Sequence, residues 1–170
     1  MMTKDDIKQY GQWYFKAYHQ IRSKFGKDAK LFSNILAATS PRKQVLANWR
    51  LAHRIYYTYK LGMYLSHAGQ MPCHRGNIRR IFNGEELSGR KVSNFARNLQ
   101  GDWDAVTVDT WTSRYFGISS LTDKTYSDIE KRIRRIARYH GVTPCETQAT
   151  AWCLALIQSG RSIKEFGNVL

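Results

Sequence analysis

Acidic residues, cysteines and long apolar runs are all scarce in this 170-residue sequence. Asp and Glu number 13 against 27 Lys and Arg, which leaves a net charge of +14 at pH 7 and a pI of about 9.9. That imbalance suits a polyanionic partner, because Lys and Arg that neutralise phosphates release condensed counterions. A ribosome-associated protein, a membrane-surface binder or a merely soluble basic protein would carry the same charge. The three cysteines, Cys73, Cys145 and Cys153, form no CxxC pair. They argue against a disulfide framework and a four-cysteine zinc site, and they are too few for a four-cysteine iron–sulfur cluster. No apolar run approaches the roughly 18 residues of a membrane span. The first residues, MMTKDDIKQYGQWYF, lack the apolar core and small-residue cleavage site of a signal peptide. A reduced, cytoplasmic setting is expected. No repeat and no low-complexity tract appears.

What is present is helical periodicity. No strand pattern competes with it, so the expectation is an all-α fold, one domain over residues 1–170 with room for a real core. Residues 3–24 read as one helix capped by Thr3, with Ile7, Tyr10, Tyr14, Tyr18 and Ile21 inward and Gly26 at its end. These aromatics read as core rather than as a stacking platform. Residues 28–39 form a second helix that buries Leu31, Phe32, Ile35 and Leu36. Pro41 then forces a break. Residues 42–61 form a third, with Val45, Trp49, Ala52, Tyr56 and Tyr59 on one stripe and His53 beside it as a core or boundary histidine. Residues 122–140 are the clearest amphipathic helix: Tyr126, Ile129, Ile133, Ile136 and His140 face inward. Lys131, Arg132, Arg134, Arg135 and Arg138 spread over the other side, as solvated surface or as phosphate contacts. Residues 144–159 close the set, opened by the capping box Thr143-Pro144-Cys145-Glu146 and ended by Gly160. Their expected buried face is Ala149, Trp152, Cys153, Leu156 and Ile157.

The chemistry concentrates in residues 89–117, GRKVSNFARNLQGDWDAVTVDTWTSRYFG. A short basic helix, 74–83, precedes it. The connection Gly84-Glu85-Glu86-Leu87-Ser88-Gly89 leads into a helix over 90–100. Lys91 stands near the start of that helix. Asp109 stands 18 residues later, at the start of the next. A lysine is a nucleophile only as the free amine, so it needs burial or a cationic neighbour; Arg90, Val92 and Phe95 are the local contributors. Asp109 reads equally as a helix N-cap and as a carboxylate available to stabilise positive charge.

The pattern G-R-K-x-x-N, N-x-x-G, V-D-T resembles the helix-hairpin-helix DNA glycosylases of the endonuclease III type. The likeness covers about residues 30–160 and is specific over 89–117. It implies a helix-hairpin-helix over about 74–100 and a base-excision activity on double-stranded DNA with a damaged or modified base. Lys91 would attack the sugar C1′ and Asp109 would be indispensable for breaking the glycosidic bond. An AP lyase step would follow, with no cofactor and no iron–sulfur cluster. The family also implies DNA contacts from the turn at Thr39, Ser40, Arg42 and Lys43, though an ordinary capped helix start reads as well there. Ser88, Gly89 and Arg90 would grip a phosphate, with a monovalent cation able to sit at the hairpin turn. Trp111 could stack on a base or pack in the core. Asn94 and Asn98 would tie the hairpin to neighbouring backbone. The sequence departs from the family at the turn, where Glu85-Glu86-Leu87-Ser88-Gly89 stands for L-P-G-V-G. No proline precedes Asp109, and Trp111 replaces a histidine. A bacteriophage-type enzyme acting on hypermodified thymine and a non-catalytic DNA-binding module are the alternatives. A monomer is expected, in the nucleoid or, for a phage protein, in the host cytoplasm.

Overall fold

The computed structural model describes residues 2–166 and is all-α, with no strand among them. Among the described residues nine α-helices follow in order: α1 Lys4–Tyr10, α2 Trp13–Phe25, α3 Ala29–Ala38, α4 Val45–Lys60, α5 Pro72–Phe82, α6 Arg90–Leu99, α7 Thr110–Tyr115, α8 Asp123–His140 and α9 Pro144–Gln158. Short 3-10 turns lie at Gly26–Asp28 and Leu65–His67. None of the described helices is long and apolar enough to cross a membrane. The chain falls into two compact units. Unit 1 is Met1–Tyr18 with Arg97–Ile163, and unit 2 is His19–Ala96 with Lys164–Leu170.

Unit 1 is built on α9, against which α1, α7 and α8 all pack. A helix buried on several sides needs small residues, and α9 supplies Thr147, Ala149, Thr150, Ala151 and Ala155, all buried. Ile157, expected inside, is 43 % exposed near the helix end. The capping box is formed as the sequence predicts: Glu146 N–H donates to Thr143 Oγ1, and Thr143 N–H donates to Glu146 Oε2 at 2.8 Å. Glu146 also explains why the expected 3–24 helix is two helices. A Cβ on Gly11 would stand 2.6 Å from the Ile7 carbonyl and 3.1 Å from Glu146 Cβ, so glycine is what lets the α1–α2 turn pass α9. Gln12 Nε2 then donates to Glu146 Oε1 at 3.0 Å.

The segment between α6 and α7 is buried without being helical. Ala105, Val106, Thr107 and Val108 are all inside. Two side chains satisfy its backbone, as buried polar groups require. Asn98 donates to the carbonyls of Asp102 and Ala105 and accepts from the Thr107 hydroxyl at 2.7 Å. Tyr126 of α8 donates to Val106 O at 2.7 Å and accepts from Val108 N–H at 3.1 Å. Val106, Val108, Tyr126, Ile129 and Ile133 form the core cluster there, with Phe116 and Ile118 against it. Thr122 caps α8. Its expected free cation stripe loses one member. Arg134 is bound to Asp104 at 2.7 Å and Glu130 at 2.9 Å, so it ties helix to loop.

Unit 2 is centred on α3, which packs on α4 and α5. Phe25 and Phe32 stack with centroids 3.8 Å apart, Trp49 and Tyr56 meet them edge-on, and His53 lies among them. Asp28 accepts from Tyr56 Oη at 2.7 Å and Lys60 Nζ at 2.9 Å. The expected third helix starts at Val45 instead of residue 42, because residues 40–43 form a turn.

Tyr126→Phe tests the loop account. It leaves Val106 O and Val108 N–H buried without this partner and should cost about 1–3 kcal/mol. A lowered urea midpoint would show it; an unchanged midpoint would mean that the loop does not depend on Tyr126.

Candidate functional site

The turn after α3 is closed by a bond from Lys43 N–H to Ser40 O at 3.2 Å, with Pro41 and Arg42 at its centre. Arg42 has φ +59°, the left-handed conformation normally left to glycine or asparagine at that position. Holding arginine there costs about 1–2 kcal/mol. The surroundings enforce it. Thr39 is fully buried, and its hydroxyl lies 2.6 Å from Asn48 Oδ1. Asn48 in turn donates to Leu36 O at 3.0 Å, satisfying an end carbonyl of α3. Thr39 is therefore committed to the turn's interior, and the expectation that its side chain contacts DNA does not fit its burial. Arg42 is exposed, Lys43 and Ser40 half-buried.

His74 fastens this turn to α5. Its imidazole is completely buried, with Met71 N–H donating to Nδ1 at 3.1 Å and Nε2 bonded to the Pro41 carbonyl at 2.9 Å. Those partners assign the tautomer with the proton on Nε2. Burial lowers its pKa, the Pro41 bond opposes that, and the positive charges of Lys43 and Lys91 add to the lowering.

Lys91, in the first turn of α6, is half-buried, and its Nζ donates to Ser40 Oγ at 2.9 Å. Ser40 Oγ itself donates to Ala37 O at 2.8 Å, so the serine offers the lysine an acceptor lone pair. The Phe95 ring centroid is 5.8 Å from Nζ. Two residues singled out separately in the sequence, Lys91 and Ser40, are thus brought together across 51 positions.

The connection from α5 to α6 differs from the expected phosphate grip. The Ser88 N–H is already given to Asn77 Oδ1 at 2.7 Å, while Asn77 Nδ2 donates to Ser88 O at 2.9 Å. Gly89 has φ +95° and its carbonyl accepts from Ser93 N–H, opening α6. Ser88, Gly89 and Arg90 are all exposed. Glu85 is paired with Arg80 at 3.3 Å, and Arg80 also donates to Glu86 O.

Asp109 and Trp111 lie in unit 1. Asp109 is the N-cap of α7: its Oδ1 accepts from Thr112 N–H at 2.8 Å, and Oδ2 makes no hydrogen bond among the described residues. The Thr112 hydroxyl accepts from buried Gln148 of α9 at 2.9 Å, which fixes the start of α7 from behind. Tyr14 is buried beside this region; burial pushes its phenol well above the usual value, and the charge of Asp109 adds to that. Burial likewise raises the Cys145 thiol, so it is not a thiolate nucleophile at neutral pH. Among the described residues, no three of His, Cys, Asp and Glu are grouped as metal ligands.

Charge is divided unevenly. Unit 2 holds 15 Lys and Arg against 4 Asp and Glu, a net +11; unit 1 holds 12 against 9, a net +3. The cationic excess therefore belongs to the unit that carries Lys91 and the Pro41 turn. The sequence reading missed His74, for which nothing local stands out. It also missed Arg114 and Arg161 beside Trp111; only Arg114, three residues on, could have been read from spacing.

The chain belongs to the Family of unknown function (DUF7178), whose profile matches residues 1–160. No curated protein and no solved structure matches it.

Arg42→Gly should relieve the backbone and raise stability by up to about 1 kcal/mol while removing an exposed cation. A urea midpoint that falls would show that the turn needs the arginine side chain. His74 gives a pH dependence of definite sign. Its folded pKa lies below the ordinary 6.5, so the stability it contributes is full above that value and is lost as pH falls through it toward the folded pKa. The urea midpoint should drop between about pH 7.5 and 5.5, above the range in which carboxylates titrate, and His74→Gln should show a smaller drop. Equal drops would remove His74 from this role.

Proposed function

We propose that the protein is a DNA glycosylase with lyase activity, using the Lys91 amine on a damaged or modified nucleotide in duplex DNA. The observation that carries this reading is the setting of Lys91. It is half-buried, its Nζ bonded to Ser40 Oγ at 2.9 Å, in a unit of net charge +11. A solvated surface lysine would need neither the partner nor the burial. The motif resemblance over residues 89–117 supplies the reaction class.

The target base leaves the stack, since its glycosidic carbon is otherwise out of reach. As the free amine, Lys91 donates one N–H to Ser40 Oγ and keeps its lone pair for carbon. Nitrogen bonds to C1′, the glycosidic C–N bond breaks, and the base departs with the electron pair and takes up a proton. The motif resemblance, rather than any contact with Lys91, assigns Asp109 the anionic charge that would stabilise the cationic sugar; its Oδ1 is fixed by Thr112 N–H. The sugar opens to a Schiff base on Nζ. Loss of a C2′ proton then expels the 3′ phosphate and cleaves the strand. Arg42, Lys43 and Arg90 supply backbone contacts in unit 2.

Borohydride reduction of the Schiff base tests this directly. On duplexes with an abasic site or with oxidised or modified bases, the wild type should give a covalent protein–DNA adduct and Lys91→Ala none. Asp109→Asn keeps a good helix cap, so it should fold normally yet lose about a hundredfold or more in base release. DNA binding with no adduct on any duplex would sink the lyase and favour a lysine-independent enzyme or a binding module.

A further inference from the structure

Trp111 has two arginines against it. The guanidinium carbon of Arg114 lies 4.6 Å from the ring centroid and that of Arg161 lies 4.8 Å from it. The two charges are thus at most about 9 Å apart, within the Debye length of roughly 10 Å at 0.1 M salt, so solvent ions do not fully screen their repulsion. Arg114 comes from α7 itself and Arg161 from the segment after α9. Both are exposed, and among the described residues neither is paired with a carboxylate. Other arginines of unit 1 are treated differently. Arg97 is bound to Asp102 at 2.7 Å, and Arg134 is bound to Asp104 and Glu130. Arg132 repeats the aromatic mounting, 4.6 Å from the Phe116 ring just after α7.

A ring contact holds a guanidinium in place, but it does not neutralise it. Two cations gathered on one indole with no counter-anion therefore form a repulsive arrangement that an anion would relieve. Guanidinium donors match phosphate oxygens in geometry and charge. We propose that Arg114 and Arg161, mounted on Trp111, form a phosphate-binding site that takes the sugar–phosphate backbone of DNA. This rests on the DNA-directed reading of the protein and extends it. Trp111 acts as the mount, and the two arginines make the contact. The site sits on the helix that Asp109 caps, so a phosphate held there would hold a strand beside that carboxylate.

The test uses the full chain and a short labelled duplex, with anisotropy measured at salt from about 50 to 200 mM. The double variant R114Q/R161Q should bind roughly tenfold more weakly at low salt, with a salt slope shallower by about 1 to 2. Lys8→Gln, an exposed cation of α1, should leave both unchanged. Thermal melting confirms that each variant is folded. In parallel, inorganic phosphate is titrated into the wild type, and the indole N–H resonance lost in Trp111→Phe is followed by NMR. Duplex binding with the same affinity and slope in R114Q/R161Q would overturn the site and leave the DNA-directed reading standing. No duplex binding, with the indole resonance still shifting in phosphate, would overturn the DNA assignment and leave an anion site. No response in either measurement would remove both.

Discussion

The bond between His74 and the Pro41 carbonyl is the contact on which the candidate lysine's surroundings depend. Pro41 sits in a turn whose next residue is held in a conformation arginine resists. A turn of that kind relaxes unless something outside it fixes it. Thr39 and Asn48 hold its front end, and His74 holds its centre from α5. Ser40 is thereby immobilised, and through Ser40 so is the Lys91 amine. The imidazole does this only while neutral, because its Nδ1 must accept from Met71 N–H. A protonated ring would present a donor to a donor. The same buried group thus sets the geometry of the site and the pH range over which that geometry persists.

Charge has a comparable logic. Carboxylates are few, and several of them are used for architecture. Asp28 binds Tyr56 and Lys60, Asp102 binds Arg97, Asp104 and Glu130 hold Arg134, and Glu146 caps α9. Each arginine neutralised in this way is withdrawn from any partner. The cations left over are therefore the informative ones. In unit 2 they include Arg42 on its strained turn, and in unit 1 the arginines carried by Trp111 and Phe116. Net charge favours attraction to a polyanion, and the pairing pattern separates the arginines tied into the fold from those that would be open to such a partner.

Local signals in the sequence were read correctly where the physics is local. The caps at Thr3 and Thr143 lie within one helical turn of their partners, and both form. The start of α6 and the N-cap at Asp109 are equally local. Other features depend on distant neighbours. Gly11 looks like any helix glycine until Glu146 of α9 is seen beside it. Periodicity placed Ile157 inside, but α9 is surrounded by three helices, and its small residues, rather than one apolar stripe, define its buried part. Thr39 looked like a polar turn residue free to reach outward, yet its hydroxyl serves Asn48 nine residues away. Ser88 looked like a phosphate donor, yet Asn77 has taken its amide. The buried Thr39 hydroxyl is consumed by the fold because burying it unpaired would cost more, whereas the exposed Ser88 amide is engaged by a neighbouring side chain.

The same accounting bears on what the two candidate residues are able to do. Asp109 has one oxygen engaged by Thr112 N–H, which fixes the carboxylate's direction, and a second with no hydrogen bond among the described residues. A carboxylate with both oxygens satisfied by the protein would have less to offer a developing cation. Lys91 meets a hydroxyl whose own proton is already spent on Ala37 O. A carboxylate in place of Ser40 would hold the lysine as an ammonium and suppress its nucleophilicity, whereas a hydroxyl orients the nitrogen without supplying a counter-charge. If Lys91 is the proposed nucleophile, serine rather than aspartate at position 40 gives its amine an oriented partner that brings no negative charge of its own.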